Sequence, residues 1–178
     1  MSDYIFTSKR LGFRNWKTSD IDILFEINSN KNAMQFFPST QTKERTEAFI
    51  TRMQNQFTEK GFCYFALEHI ETNDFIGFIG LSLQTFKSDF TPAIDIGWRL
   101  HPNFWYNGFA TEGARRCIDF GFNQLKLDEI IAVAPVINTP SISIMKKIGM
   151  KKIKNFKHEL LREFPELETC VLYSKINI

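Results

Sequence analysis

The stretch Asp95-Ile96-Gly97-Trp98-Arg99-Leu100-His101-Pro102-Asn103-Phe104-Trp105-Tyr106-Asn107-Gly108-Phe109-Ala110-Thr111-Glu112 decides how the chain is read. A strand ends at Leu100, a short loop holds Gly108, and a helix begins near Phe109. Such a junction leaves several backbone N–H groups unpaired and aimed at one point. With the helix dipole they make an anion site suited to a pyrophosphate. Gly108 would let a ligand approach the backbone where a Cβ would intrude, although tight turns also use glycine.

Downstream, Ala110, Ala114, Cys117, Ile118, Gly121 and Leu125 share one helical face. Gly113 and Gly121 inside this helix each cost roughly 1 kcal/mol relative to alanine. Something must therefore pack closely there, either a sheet or a ligand. A short apolar strand, Glu129 to Val136, follows. Thr139-Pro140 then opens a helix that buries Ile142, Met145 and Ile148 and stops at Gly149. Met150 to Phe156 and about Leu167 to Ile176 read as two last strands.

Upstream, Ile5 to Arg14 reads as a first strand. Thr18-Ser19-Asp20 offers caps for a helix carrying Ile21, Leu24, Phe25 and Ile27. A second helix spans about Lys43 to Lys60 and ends at Gly61. Strands Phe62 to Ile70, Phe75 to Leu83 and Ala93 to Leu100 come next. The order β-αα-βββ-α-β-α-ββ predicts a mixed α/β (α+β) fold, one sheet with helices on both faces, in one domain over residues 1–178.

The 178 residues suffice for one real core, and 19 Phe predict one rich in packed rings. A formal charge of +2 gives no argument for a nucleic-acid or membrane partner. No apolar run nears the roughly 20 residues that span a bilayer. Met1-Ser2-Asp3-Tyr4 lacks the pattern of a secretion leader. Cys63, Cys117 and Cys170 read as buried thiols of a cytoplasmic protein, and no metal-ligand spacing is present.

The run Trp105-Tyr106-Asn107-Gly108-Phe109-Ala110-Thr111-Glu112 resembles the acetyl-CoA pyrophosphate loop of the GNAT superfamily, nearest to the branch of the RimJ and RimL ribosomal-protein acetyltransferases. Gly108 and Ala110 match the general pattern Arg/Gln-x-x-Gly-x-Gly/Ala. Trp105 replaces the Arg or Gln, and Tyr106 stands where glycine is frequent. Asn138-Thr139-Pro140-Ser141 through Lys147, Gly149 and Met150 resembles the family's second motif. Arg10-Leu11 with Arg14 resembles its opening strand, and Phe36-Phe37-Pro38 its acceptor-side loop.

The resemblance implies a mostly antiparallel, twisted sheet of about seven strands, splayed between the fourth and fifth. It implies an N-acetyltransferase that moves an acetyl group from acetyl-CoA to a primary amine: a protein N-terminus, an amino acid or another small amine. Homodimers occur in that branch. Cofactor contacts would come from Trp98, Leu100, Trp105, Tyr106, Asn107, Gly108, Phe109, Ala110, Thr111, Asn138, Ser141 and Lys147. Arg115, Arg116, Lys146 and Lys147 are candidates for the 3′-phosphate or for a solvated basic face.

Asp95 is either the general base or the ion-pair partner of Arg99, with which it shares a strand face; Glu68 is a weaker base. Ser141 either protonates the leaving thiolate or satisfies helix-start amides, since Met145 occupies a position where many relatives carry tyrosine. Trp16, Phe36, Phe37 and Gln84 are candidate acceptor contacts, although such aromatics also build cores. The other reading is a catalytically weak acyl-CoA-binding module acting through a partner.

Overall fold

The alternation read in Ala93–Leu100 builds a strand at the middle of a sheet. In the computed structural model, which describes residues 3–177, eight strands form that sheet. They are β1 (Phe6–Thr7), β2 (Leu11–Arg14), β3 (Tyr64–His69), β4 (Phe75–Gln84), β5 (Ala93–Leu100), β6 (Glu129–Pro135), β7 (Lys151–Lys157) and β8 (Thr169–Ile176). The helices are α1 (Asp20–Ser29), α2 (Lys43–Lys60), α3 (Phe109–Asn123), α4 (Thr139–Lys147) and the single turn α5 (Pro165–Glu168). The expectation placed on Met1 and Ser2 lies outside the described residues.

The strand order is β1-β2-β3-β4-β5-β6-β8-β7. Neighbours are antiparallel except β5 and β6, which run parallel and are bridged at a single pair, Asp95 with Ile131. Beyond that bridge the two strands diverge, so the sheet opens along residues 96–100. The splay lies between the strands read as fourth and fifth.

Eight strands replace the expected seven because Ile5 to Arg14 is a hairpin, with Phe6 opposite Phe13 and Thr7 opposite Gly12. Its turn is held by the Ser8 N–H on the Leu11 carbonyl (2.9 Å). No glycine, proline or asparagine marks that turn. The last strand starts at Thr169, two residues after the expected start, because Pro165–Glu168 coil into a turn first.

Adjacent residues of a strand face opposite sides, and Phe78 and Ile79 show what covers each. Phe78 meets Trp16, Tyr64 and Phe49 of α2. Ile79 meets Gly113 of α3, where an added Cβ would stand 2.5 Å from its Cδ1. A Cβ on Gly121 would press on Ile130 and Leu81 at 2.8 and 2.9 Å. The close neighbour implied by these two glycines is thus the sheet. Phe6, Phe13 and Phe120 stack between sheet and helix, with both centroid separations 4.4 Å.

One buried ionic knot ties the first helix to the sheet. Arg14 donates to both carboxylate oxygens of Asp20 (2.7 and 2.8 Å) and to Glu68 (2.5 Å). Burial alone would lower the pKa of this guanidinium, but the two carboxylates outweigh it and hold the proton more firmly. Asp20 also accepts the Lys17 N–H, while Ser19 at the cap position makes no side-chain bond to the helix. Truncating one partner of such a knot leaves a buried charge unanswered.

Candidate active site

Two features meet where the sheet opens: an exposed edge of β5 and the start of α3. His101 donates its N–H to the Ile76 carbonyl, so its backbone turns toward β4. Antiparallel alternation then turns Arg99 and Gly97 the same way and Trp98 and Leu100 outward, to the gap. The Leu100 carbonyl is taken there by the Trp105 indole N–H at 2.9 Å. The Trp98 main chain and the Leu100 N–H face the unbridged edge.

The loop to α3 passes through Tyr106 (φ 63°) and Gly108 (φ 78°). Only Arg10 Nη2, at 3.7 Å, lies near the position of a Gly108 Cβ, so the left-handed backbone, not crowding, calls for glycine. Gly108 caps α3 without any side-chain bond to the first amides. The N–H groups of Phe109, Ala110 and Thr111 thus precede the first helical acceptor bond, made by Glu112 N–H to Gly108. Beside them runs an open groove of about 750 Å³ lined by Lys9, Arg10, Arg115, Arg116 and Lys147, with Glu112 and Asp119. Its bare amides and cations fit a chain of phosphates.

The loop is braced from the hairpin. Glu112 accepts from Ser8 Oγ (2.7 Å), the Arg10 N–H (2.9 Å) and Arg10 Nε (2.7 Å). Arg10 also reaches the Asn107 carbonyl at 3.1 Å and lies over the Phe109 ring at 4.3 Å. Burial pushes the Glu112 carboxyl up, yet the Ser8 and Arg10 bonds prevail and keep its pKa below the ordinary range. Sequence reading quoted Arg10 and Glu112 in separate motifs; only the fold joins them.

On the opposite face of β5 lies a polar cluster. Asp95 accepts from the Tyr64 hydroxyl (2.6 Å) and Gln84 Nε2 (3.0 Å). Burial raises its carboxyl to about 6 against the opposing pull of those two bonds. Burial and the neighbouring Asp95 keep the Tyr64 phenol protonated, so it stays a donor. The Tyr64 ring covers Gly97, where a Cβ would stand 2.9 Å away. Tyr64 was missed by sequence reading; its signal was the pair of strand glycines, Gly80 opposite Tyr64 and Gly97 opposite Gly80.

A family model described as an acetyltransferase (GNAT) domain matches residues 10–151. The chain belongs to the GNAT acetyltransferase family. An uncharacterized N-acetyltransferase, YnaD of Bacillus subtilis (strain 168), is 32% identical over 152 residues, 85% of each chain. Among solved structures, a GNAT-family acetyltransferase from Bacillus anthracis superposes with TM-score 0.80 at 27% identity, covering 96% of this chain and 97% of that one. The spermidine N-acetyltransferase of Vibrio cholerae, solved with CoA and spermine, shares the fold at TM-score 0.75 and 16% identity, over 94% and 96% of the chains. GNAT acetyltransferases use acetyl-CoA, and among the described residues no group of three or more His, Cys, Asp or Glu could hold a metal ion.

In this acetyltransferase several expected roles are redistributed. Asp95 does not pair with Arg99; Tyr64 and Gln84 both donate to its Oδ1, and Arg99 turns to Asn28 Oδ1 at 2.6 Å. Glu68 accepts from Arg14 (2.5 Å) and from the Tyr4 hydroxyl (3.1 Å). Trp16 is 3% exposed and donates its indole N–H to the Tyr64 carbonyl, so it backs the cleft without lining it. Phe37 is 41% exposed on the α1–α2 loop, and Phe36 beside it is half-buried. Gln84 reaches the cluster through Asp95 and Tyr64.

The cofactor-side candidates divide by atom type. The Trp105 indole N–H donates to the Leu100 carbonyl, Phe109 is buried under Arg10, and Tyr106 is fully exposed. Asn107 Nδ2 bonds back to the Trp105 carbonyl. Asn138 caps α4 by accepting the Ser141 N–H at 3.1 Å. The helix-start function considered for Ser141 thus belongs to Asn138, and the Ser141 hydroxyl has no partner among the described residues. Met145 is 2% exposed in the core. Arg115 donates to the Lys147 carbonyl and Arg116 to the Thr7 carbonyl and Asp119. Lys147 itself is exposed at the groove, and Lys146 is exposed outside its lining.

Proposed function

We propose that residues 1–178 form one N-acetyltransferase domain of the RimJ/RimL-like branch, moving the acetyl group of acetyl-CoA directly to a primary amine in a ternary complex. The observation that carries this reading is the meeting of an uncapped α3 start with the unbridged half of β5. The amides of Phe109, Ala110 and Thr111 would hold the pyrophosphate, and Lys9, Arg115, Arg116 and Lys147 the 3′-phosphate. The outward main chain of Trp98 and Leu100 would pair with the pantetheine arm as an added strand would, and one N–H there would stabilise the thioester oxygen as charge develops.

Asp95 then takes one proton from the acceptor ammonium, directly or through a water, so that the neutral amine attacks the thioester carbon; its burial poises it for this. Tyr64 and Gln84 orient it. The Ser141 hydroxyl, which has no protein partner among the described residues, gives its proton to the sulfur as the C–S bond breaks. It is reprotonated, through solvent, by the second proton that the nitrogen loses as the amide forms. Placement of the two substrates in one cleft supplies much of the remaining rate. Three buried thiols, each with its pKa pushed up by burial, suit a reducing cytoplasm.

The first test is calorimetric titration with acetyl-CoA, desulfo-CoA and ATP, followed by thiol release over a panel of amines and peptide N-termini. Micromolar binding of the CoA compounds, weak ATP binding and amine-dependent thiol release are expected. CoA binding without release for any amine would leave the binding-module reading. Absence of CoA binding would overturn both.

A further inference from the structure

Arg115 at the groove meets the Lys147 carbonyl, whereas Arg10 is answered by the carboxylate of Glu112, Arg14 by those of Asp20 and Glu68, and Arg116 by that of Asp119. Arg99 meets no carboxylate among the described residues. It lies on the same face of β5 as Asp95, about 13 Å further along the strand. Its one bond runs from Nη1 to the neutral Asn28 side chain, which is itself fixed by Thr46 Oγ1 at 3.0 Å. Nε is buried with no partner, and Nη2 carries no bond among the described residues. The rings of Phe37 and Phe78, 4.3 and 5.3 Å from the guanidinium carbon, fix its plane.

Burial pulls this arginine down to about 10, so it is still a cation at neutral pH. A half-satisfied buried guanidinium is destabilising unless an anion completes it. Here the protein supplies rigidity and no anion. Nη2 is the free donor that a ligand could reach; the guanidinium lies against Phe37, which is 41% exposed, and Arg99 stands on β5 between the edge residues Trp98 and Leu100. A planar fork of this kind matches a carboxylate better than it matches any neutral group.

We propose that Arg99 anchors a carboxylate of the acceptor, so that the amine acetylated is that of an amino acid or similar small amino carboxylate. This rests on the reading of the cleft as an amine acetyltransferase site. The carboxylate seats on Nη2, with the buried Nε charge behind it, and the amine is left facing the gap beside the Trp98 edge. Polycations such as spermidine meet a fixed positive charge there and are poor acceptors.

The test uses the twenty amino acids, each as free acid and as carboxamide, with thiol release from acetyl-CoA as the readout. The preferred acid should exceed its amide in kcat/KM by at least about 30-fold, the effect of leaving a buried charge unpaired. Amides equal to acids, or spermidine above both, would overturn the proposal. Arg99→Gln should collapse the acid-to-amide ratio toward one, and Arg99→Lys should restore part of it; a ratio unmoved by either would also overturn it.

The wild-type comparison needs no variant, so a folding defect cannot mask the result. A third arm separates this proposal from the transferase reading. With desulfo-CoA present, calorimetry follows binding of 2-hydroxy acids, which keep the carboxylate and lack the amine. Binding that Arg99→Gln abolishes supports the anchor even if no amine is ever acetylated. Failure of every hydroxy acid and amino acid to bind sinks the anchor even if other amines turn over.

Discussion

Asp95 keeps a pKa of about 6, against an ordinary aspartate value of 3.8, because burial outweighs two hydrogen bonds. Two outcomes follow from that one imbalance. As a base it must be ionised, so kcat/KM should rise with pH through about 6 and level off above 7. Tyr64→Phe removes a bond that lowers the pKa and should move that limb upward. Stability runs the other way. Between about pH 4 and 6 the folded chain retains a proton that the unfolded chain has released, so stability falls as pH rises through that window. Asp95→Asn should therefore abolish the limb and most turnover while raising stability at pH 7 by up to about 3 kcal/mol in urea melts. A variant no more stable than wild type would remove burial as the cause of the shift. A pH-independent rate from 5 to 8 would remove Asp95 as the base.

At the scale of elements, the hairpin β1–β2 acts on α3 through one carboxylate. Glu112 sits in the first turn, where its charge also favours the helix dipole, and it collects Ser8 and Arg10 into one knot. Glu112→Ala releases Arg10 from the Asn107 side of the loop and leaves the donors of the turn unpaired. A stability loss of about 1–3 kcal/mol is expected, with acetyl-CoA affinity lowered at least about fivefold. Chemical denaturation and calorimetry read the two separately. Loss of stability with affinity untouched would show that the brace serves the fold alone. Legibility divides along the same line. Helix α3 and its start were legible because Gly108, the small residues and the 3.6-residue period are local signals. The hairpin was not, because Ser8-Lys9-Arg10 turns without the residues that mark turns, and its stabilising partner lies 102 positions away at Glu112. The same distance hid Tyr64: nothing near residue 64 announces a hydroxyl aimed at Asp95, and only the strand glycines hint that a ring must pass over them.

For the whole molecule, the divergence of β5 and β6 was expected from family resemblance and not from periodicity, since a strand edge left open reads like any other strand. The physical consequence is that backbone donors and acceptors along residues 96–100 lack a strand partner on one side, and a sheet with an open seam in its middle opens there first. The β4–β5 ladder is continuous from Gly77 with Leu100 to Gln84 with Ala93, so one side of β5 is firmly held while the other is not. A ligand that completes the seam binds the folded chain alone and stabilises it by mass action. Acetyl-CoA at 100 times its Kd should add about 2.7 kcal/mol, which for a chain of this size is a rise of roughly 5–10 °C in Tm. Hydrogen exchange should locate the gain: the outward amides of Trp98 and Leu100 and those of Phe109 to Thr111 should slow more than those of Gly97 and Arg99, which already face β4. Uniform slowing across the sheet, with no excess at the outward amides, would mean that the ligand stabilises the fold from elsewhere and that the seam is not its seat.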